Sequence, residues 1–132
     1  MSSLKIPVPW ISLHRGDHTQ ETIVMASRLE LDSARHSAAF TAYSLQLYWQ
    51  ALRAPGNRGS ALIAEPVEGI FWTLSAWEDE KAIRDYAKTN PHRSVMKRLR
   101  PWMKASRFET YPVVGRPTWR EAREHLQGAP RA

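Results

Sequence analysis

The feature that most constrains this chain is the run Ile70-Phe71-Trp72-Thr73-Leu74-Ser75-Ala76-Trp77. A strand sends successive side chains to opposite faces. A run that is apolar or aromatic at both odd and even positions therefore needs cover on both sides, which places it inside a sheet. Thr22 to Leu31 reads as a second interior strand. There Ile23, Met25, Ser27 and Leu29 alternate with Val24, Ala26, Arg28 and Glu30. Its inner half is apolar on both faces and its outer half on one, as expected of a central strand whose end reaches water.

The remaining elements follow from period changes and breakers. Asp32 and Ser33 offer a cap to a helix over Ala34 to Leu52, with Phe40, Tyr43, Leu47 and Ala51 as its stripe. Pro55-Gly56-Asn57 ends it. Gly59 to Glu65 is a strand joined by a hairpin to Gly69–Trp77. Glu78, Asp79 and Glu80 open the next helix, where the macrodipole favours acids. Asn90 and Pro91 start a further helical segment, which carries Val95, Met96, Leu99 and Trp102 and is broken by Pro101. Arg107 to Val114 is the next strand. Thr118-Trp119-Arg120-Glu121 fits a capping box ahead of a short helix with Trp119, Ala122 and Leu126 on one face.

The order is β-α-β-β-α-β, the split βαβ pattern. It predicts an α+β, ferredoxin-like domain over residues 22–114, with a four-stranded antiparallel sheet and helices on one face. Residues 1–21 form an arm with a short strand around Trp10 to Leu13, and residues 115–132 a C-terminal extension. The second sheet face also needs cover. A symmetric copy of the chain is the simplest source, giving a homodimer built as a dimeric α/β barrel.

At 132 residues the chain suits one domain. It has no cysteine, so disulfides, thiolate metal sites and thiol nucleophiles are excluded. No segment approaches the roughly 18 consecutive apolar residues of a membrane span, and Met1 to Trp10 lacks a signal-peptide core. A cytoplasmic protein is expected. The net charge of +6 is concentrated: Arg93, Lys97, Arg98, Arg100, Lys104 and Arg107 occur with no intervening acid. Such a stripe attracts anions, although solvated helix faces are the commoner explanation. His14 and His18 are four apart, but Gly16 between them argues against the helix that would let both bind one metal ion.

Residues Phe71 to Tyr86, followed by Asn90-Pro91-His92-Arg93, resemble the antibiotic-biosynthesis monooxygenase-like superfamily, and Val24 to Leu29 is similar to its first strand. The likeness covers about residues 22–114 and is nearest to an uncharacterised actinobacterial-type group. It implies a ferredoxin-like dimer with a pocket between helices and sheet. It also implies one of several activities: cofactor-independent oxygenation, haem degradation, haem binding, or ligand binding alone. At the positions where the haem-degrading branch uses asparagine, tryptophan and histidine, this chain has Ser27, Tyr86 and Met96, which argues against that chemistry.

His92 is the candidate base. In the first turn of a helix, near free backbone N–H groups, an imidazole is held neutral and able to accept a proton. The alternative is a surface or capping histidine. Tyr43, Trp72, Trp77, Tyr86 and Met96 are candidate pocket walls for a flat aromatic ligand, with Arg28 as partner for a carboxylate or phenolate. Each also has a plain packing or rim ion-pair explanation. Three functions compete. The first is a cofactor-independent monooxygenase-like enzyme on a small aromatic or polyketide-like molecule. The second is a non-catalytic small-ligand or haem-binding protein. The third, ranked last, is an acidic-partner or nucleic-acid module using Arg93, Lys97, Arg100 and Lys104.

Overall fold

In the structure, a computed structural model, residues 4–13 and 20–128 are described. The doubly apolar strand β4 (Ile70–Trp77) lies between β3 (Asn57–Glu65) and β2 (Glu21–Leu31), as its two greasy faces require. β5 (Met103–Val114) flanks β2, and β1 (Ile6–Ile11) flanks β3, giving the order β1-β3-β4-β2-β5. All pairs are antiparallel; β2 meets β4 from Ile23↔Trp77 to Glu30↔Ile70. The four strands from β2 to β5 have the ferredoxin-like arrangement.

The sheet has five strands rather than the expected four. The arm supplies the extra one, at Ile6–Ile11 rather than around Trp10 to Leu13. Pro7 and Pro9 hide the strand in the sequence, yet an edge strand tolerates them because one side of its backbone needs no donor. β5 also begins earlier than Arg107, at Met103, directly after a 3-10 turn over Arg100–Trp102. Trp102 O accepts from Asp32 N at 2.8 Å, and this holds the start of the strand beside the end of β2.

Three helices lie on one side of the sheet: α1 (Ser37–Arg53), α2 (Glu80–Lys88) and α3 (His92–Leu99). Ser33 caps the 3-10 turn that precedes α1, and Asp79 Oδ1 caps α2 by accepting from Ala82 N at 2.8 Å. Phe40, Leu52, Phe71 and Leu99 fill the core on this side, each almost wholly buried. Each such side chain contributes about 2–3 kcal/mol over its exposed state.

The other side carries α4 (Trp119–Gly128). Ala122 and Leu126 pack on Val24, Ala26, Leu74 and Tyr111. Thr118 Oγ1 starts this helix by accepting from Glu121 N at 3.2 Å. Trp10 covers β3 nearby: a Cβ on Gly59 would lie 2.2 Å from its ring. The lower half of this face is polar, with Arg28 and Glu30 ion-paired at 3.3 Å. The expectation that this face would stand open for a partner's sheet is therefore revised. The chain's own C-terminal helix covers its apolar half, and the other half carries Arg28 and Glu30 beside Trp72.

Candidate functional site

The helix-side positions of the central strands carry small hydroxyl residues where leucine would fill space: Ser27 on β2, Ser60 on β3, Thr73 and Ser75 on β4. Below α1 and α3 they leave a cavity of about 80 Å³. Met25 and Leu62 complete its floor; Phe40, Ser44 and Leu47 of α1, Tyr86 of α2, and His92 and Met96 of α3 form its roof and walls. Phe108 of β5, directly across from Ser27, stands at the open side and is half exposed.

His92 Nδ1 lies 3.1 Å from Ala87 O. A carbonyl only accepts, so Nδ1 carries the proton and Nε2 keeps its lone pair. Burial pushes the imidazole below its ordinary pKa, only partly countered by the bond to Ala87, so the ring is neutral near pH 7. Tyr86 lies against it, with ring centroids 4.6 Å apart. Burial drives the Tyr86 phenol far above its usual range, and its hydroxyl donates to Leu47 O at 3.0 Å. Tyr86 is thus a neutral wall and not an acid–base group.

On the floor, the hydroxyls of Ser27 and Thr73 are hydrogen-bonded to each other. One O–H serves that bond; the other is free to donate to an oxygen in the cavity. Ser75 Oγ accepts from Trp77 Nε1 at 2.8 Å, and Ser60 Oγ accepts from Asn57 Nδ2 at 3.1 Å. The residue types at Ser27, Thr73, Ser75 and Ser60 were the available sequence signal for a cavity. Small polar residues recur there at alternate positions in strands that are otherwise apolar.

Of the residues singled out from sequence, His92, Tyr86 and Met96 line this cavity. The other four do not. Trp77 is wholly buried one layer behind, its ring 5.0 Å from Tyr86. Trp72 and Arg28 point to the opposite sheet face, because they alternate with Thr73 and Ser27. There Trp72 Nε1 donates to Glu65 Oε2 at 2.6 Å, and the Arg28 guanidinium sits over its ring. Tyr43 is one residue off the Phe40-Ser44-Leu47 stripe, about 100° around α1, and its hydroxyl accepts from Arg98 Nη1 at 3.1 Å. The basic stripe is also divided. Lys104 and Arg107 belong to β5; Lys104 Nζ lies 3.9 Å from Glu30, and Arg107 donates to Leu126 O at 3.0 Å. They do not share a helical face with Arg93, Lys97 and Arg100.

No cluster of three metal-ligating side chains occurs among the described residues; the His14 and His18 pair lies outside them. An apolar cavity of roughly 150 Å³ holds benzene, so this one, at about 80 Å³, does not fit a haem macrocycle. Among the described residues no helix is long and apolar enough to cross a membrane.

No protein-family model and no curated protein matches the sequence. Solved structures do. A candidate antibiotic biosynthesis monooxygenase from Nitrosomonas europaea superposes with a TM-score of 0.61 at 16% identity, over 78% of this chain and 95% of that one. The fold is that of the antibiotic-biosynthesis monooxygenase-like proteins. SnoaB, a cofactor-independent oxygenase from Streptomyces nogalater, has this fold too, with a TM-score of 0.56 and 19% identity over 76% of this chain and 98% of SnoaB. A candidate monooxygenase from Lactobacillus acidophilus scores 0.61 at 10% identity over 80% of this chain. The chain spans 47% of that protein's length, about half. At these identities the monooxygenase-like likeness is one of architecture.

Proposed function

We propose that this protein is a cofactor-independent monooxygenase-like enzyme whose substrate places the reacting edge of one electron-rich aromatic ring in the cavity. The observation that carries the reading is His92: a neutral imidazole, fixed as the Nδ1–H tautomer, on the wall of an apolar cavity with a free hydroxyl proton across from it. At about 80 Å³, roughly half the volume that holds benzene, the cavity takes only the reacting edge of the ring, and the rest of the molecule lies past Phe108.

The step we propose acts on a phenol with a free para C–H. His92 Nε2 takes the phenolic proton, and the Ser27–Thr73 pair donates to the oxyanion. The phenolate gives electrons to dioxygen, and a C–O bond forms at the para carbon. The imidazolium returns its proton to the resulting peroxide, and loss of water leaves a quinone. One phenol and one O₂ give one quinone and one water, so the substrate is the only reductant. A cytosolic setting and pairing of two copies belong to the same reading. The long outer edge of β5, with Phe108 and Val114 exposed, supports pairing.

Oxygen uptake with 1-naphthol tests the reading. Uptake is expected with the wild-type protein and is expected to fall by about two to four orders of magnitude in His92→Ala, the range of a lost general base. Equal uptake by both proteins would remove His92 as the base.

A further inference from the structure

α3 presents its residues in a telling order around its axis. Taking about 100° per residue from His92, Met96 lies about 40° away on the cavity side. Arg93 and Lys97 follow at about 100° and 140°, and Arg100, which caps α3 with helical backbone angles, falls at about 80°. In the other direction come Leu99 and Val95, both buried in the core, and then Arg98, whose guanidinium reaches Tyr43 on α1. The direction past Leu99 therefore leads toward α1. The direction past Met96 leads away from it, to the open side where Phe108 stands half exposed. Arg93, Lys97 and Arg100 are exposed and form no ion pair among the described residues. The helix-side positions of β5 across from Leu29, Ser27 and Met25 are Ser106, Phe108 and Thr110, all uncharged. Asp85 of α2 is already paired with Lys81 at 2.7 Å.

We infer that Arg93, Lys97 and Arg100 form a cationic rim on the mouth of the cavity that selects aromatic substrates carrying an anionic group, such as ring carboxylates. The inference rests on the cavity being the binding site. One edge of the ring enters beneath His92 and Met96, and the carboxylate at its other end stays at the mouth beside the three charges, where no desolvation is required. The field of the rim raises both affinity and encounter rate for anions, and salt screens it.

Fluorine NMR titration with 4-fluorobenzoate, 4-fluorobenzamide and 4-fluorobenzylamine provides the test, because the three share one ring and differ in charge. Benzoate is expected to bind tightest and benzylamine weakest. In a chain with Arg93→Gln, Lys97→Gln and Arg100→Gln, all exposed positions that leave the core intact, benzoate affinity is expected to fall about five- to tenfold. Benzamide affinity should stay the same, and the salt dependence of benzoate binding should shrink. Met96→Trp, which fills the cavity from its open side, is expected to abolish binding of all three. If benzamide binds as tightly as benzoate and both are lost in Met96→Trp, the cavity stands and the rim is overturned. If no probe binds, or binding survives Met96→Trp, the cavity reading fails and the rim fails with it.

Discussion

The imidazole of His92 leans on the ring of Tyr86 at 56°, and its Nδ1 is tied to Ala87 O at 3.1 Å. The two contacts hold the ring in one tautomer and shield it from water. They also couple its protonation to folding. Burial holds the folded-state pKa below the ordinary 6.5, so the unfolded chain binds this proton first as pH falls. Stability from this group is complete above pH 6.5 and is lost as pH falls through the depressed folded value. Urea midpoints recorded between pH 8 and 5 should decline below pH 6.5 in the wild type. His92→Gln should remove that part of the decline; an unchanged pH profile would show that His92 is not the group responsible.

Trp10 and Gly59 make a second test. Gly59 adopts φ +148°, and any Cβ there would meet the Trp10 ring. Gly59→Ala should cost more than about 2 kcal/mol, from backbone strain and clash together. In a Trp10→Ala background the same substitution should cost less, since the clash is gone and only the strain is left. Denaturation of the four proteins of this cycle measures the coupling; additive costs would mean that the ring does not press on the glycine.

The Tyr111 ring stacks on His125 at 3.7 Å, and its buried hydroxyl has no hydrogen-bond partner among the described residues. Burial and the nearby Glu121 carboxylate push its phenol up to about 12. An unsatisfied hydroxyl gains nothing from being kept, so Tyr111→Phe should leave stability unchanged or raise it by up to about 1 kcal/mol. A thermal melt showing clear loss would reveal a partner for that oxygen.

Cover by α4 can be tested directly. Leu126 is almost wholly buried against β2 and β4, and Leu126→Ala should cost about 2–4 kcal/mol. A chain ending at Pro117 would expose Val24, Ala26, Leu74 and Ala76 together, and sedimentation velocity should show it associating more than the full chain. An unaltered association state would mean that this surface does not need the helix.

Local pattern carried the ferredoxin-like core. Period-2 apolar runs specify β2, β3 and β4, and period-3.6 stripes specify α1 to α3. α3 starts after Pro91 with no side-chain cap, Asn90 not serving as the one expected. Asp79 and Thr118 punctuate the chain through short-range capping bonds that need no distant contact. His92 and Met96 could be placed on one side of a helix for the same reason. Residues decided by long-range packing were harder to read. Trp72 and Trp77 are both large and aromatic, but strand alternation sends one to the α4 face and the other beneath Tyr86. Tyr43 misses the cavity by a single helical position.

The sequence alone determined the core strands β2, β3 and β4 and the helices, because backbone hydrogen bonding and hydrophobic period act between near neighbours; the edge strand β1 and the start of β5 escaped it. Tertiary structure decided which layer covers which face and where a cavity is left. It brought β1 to the edge of β3, laid α4 on the back of the sheet, and set Ser27, Thr73 and Ser75 opposite His92. Those outcomes depend on contacts between residues far apart in the chain, whose shapes must fit together before any one of them has a meaning.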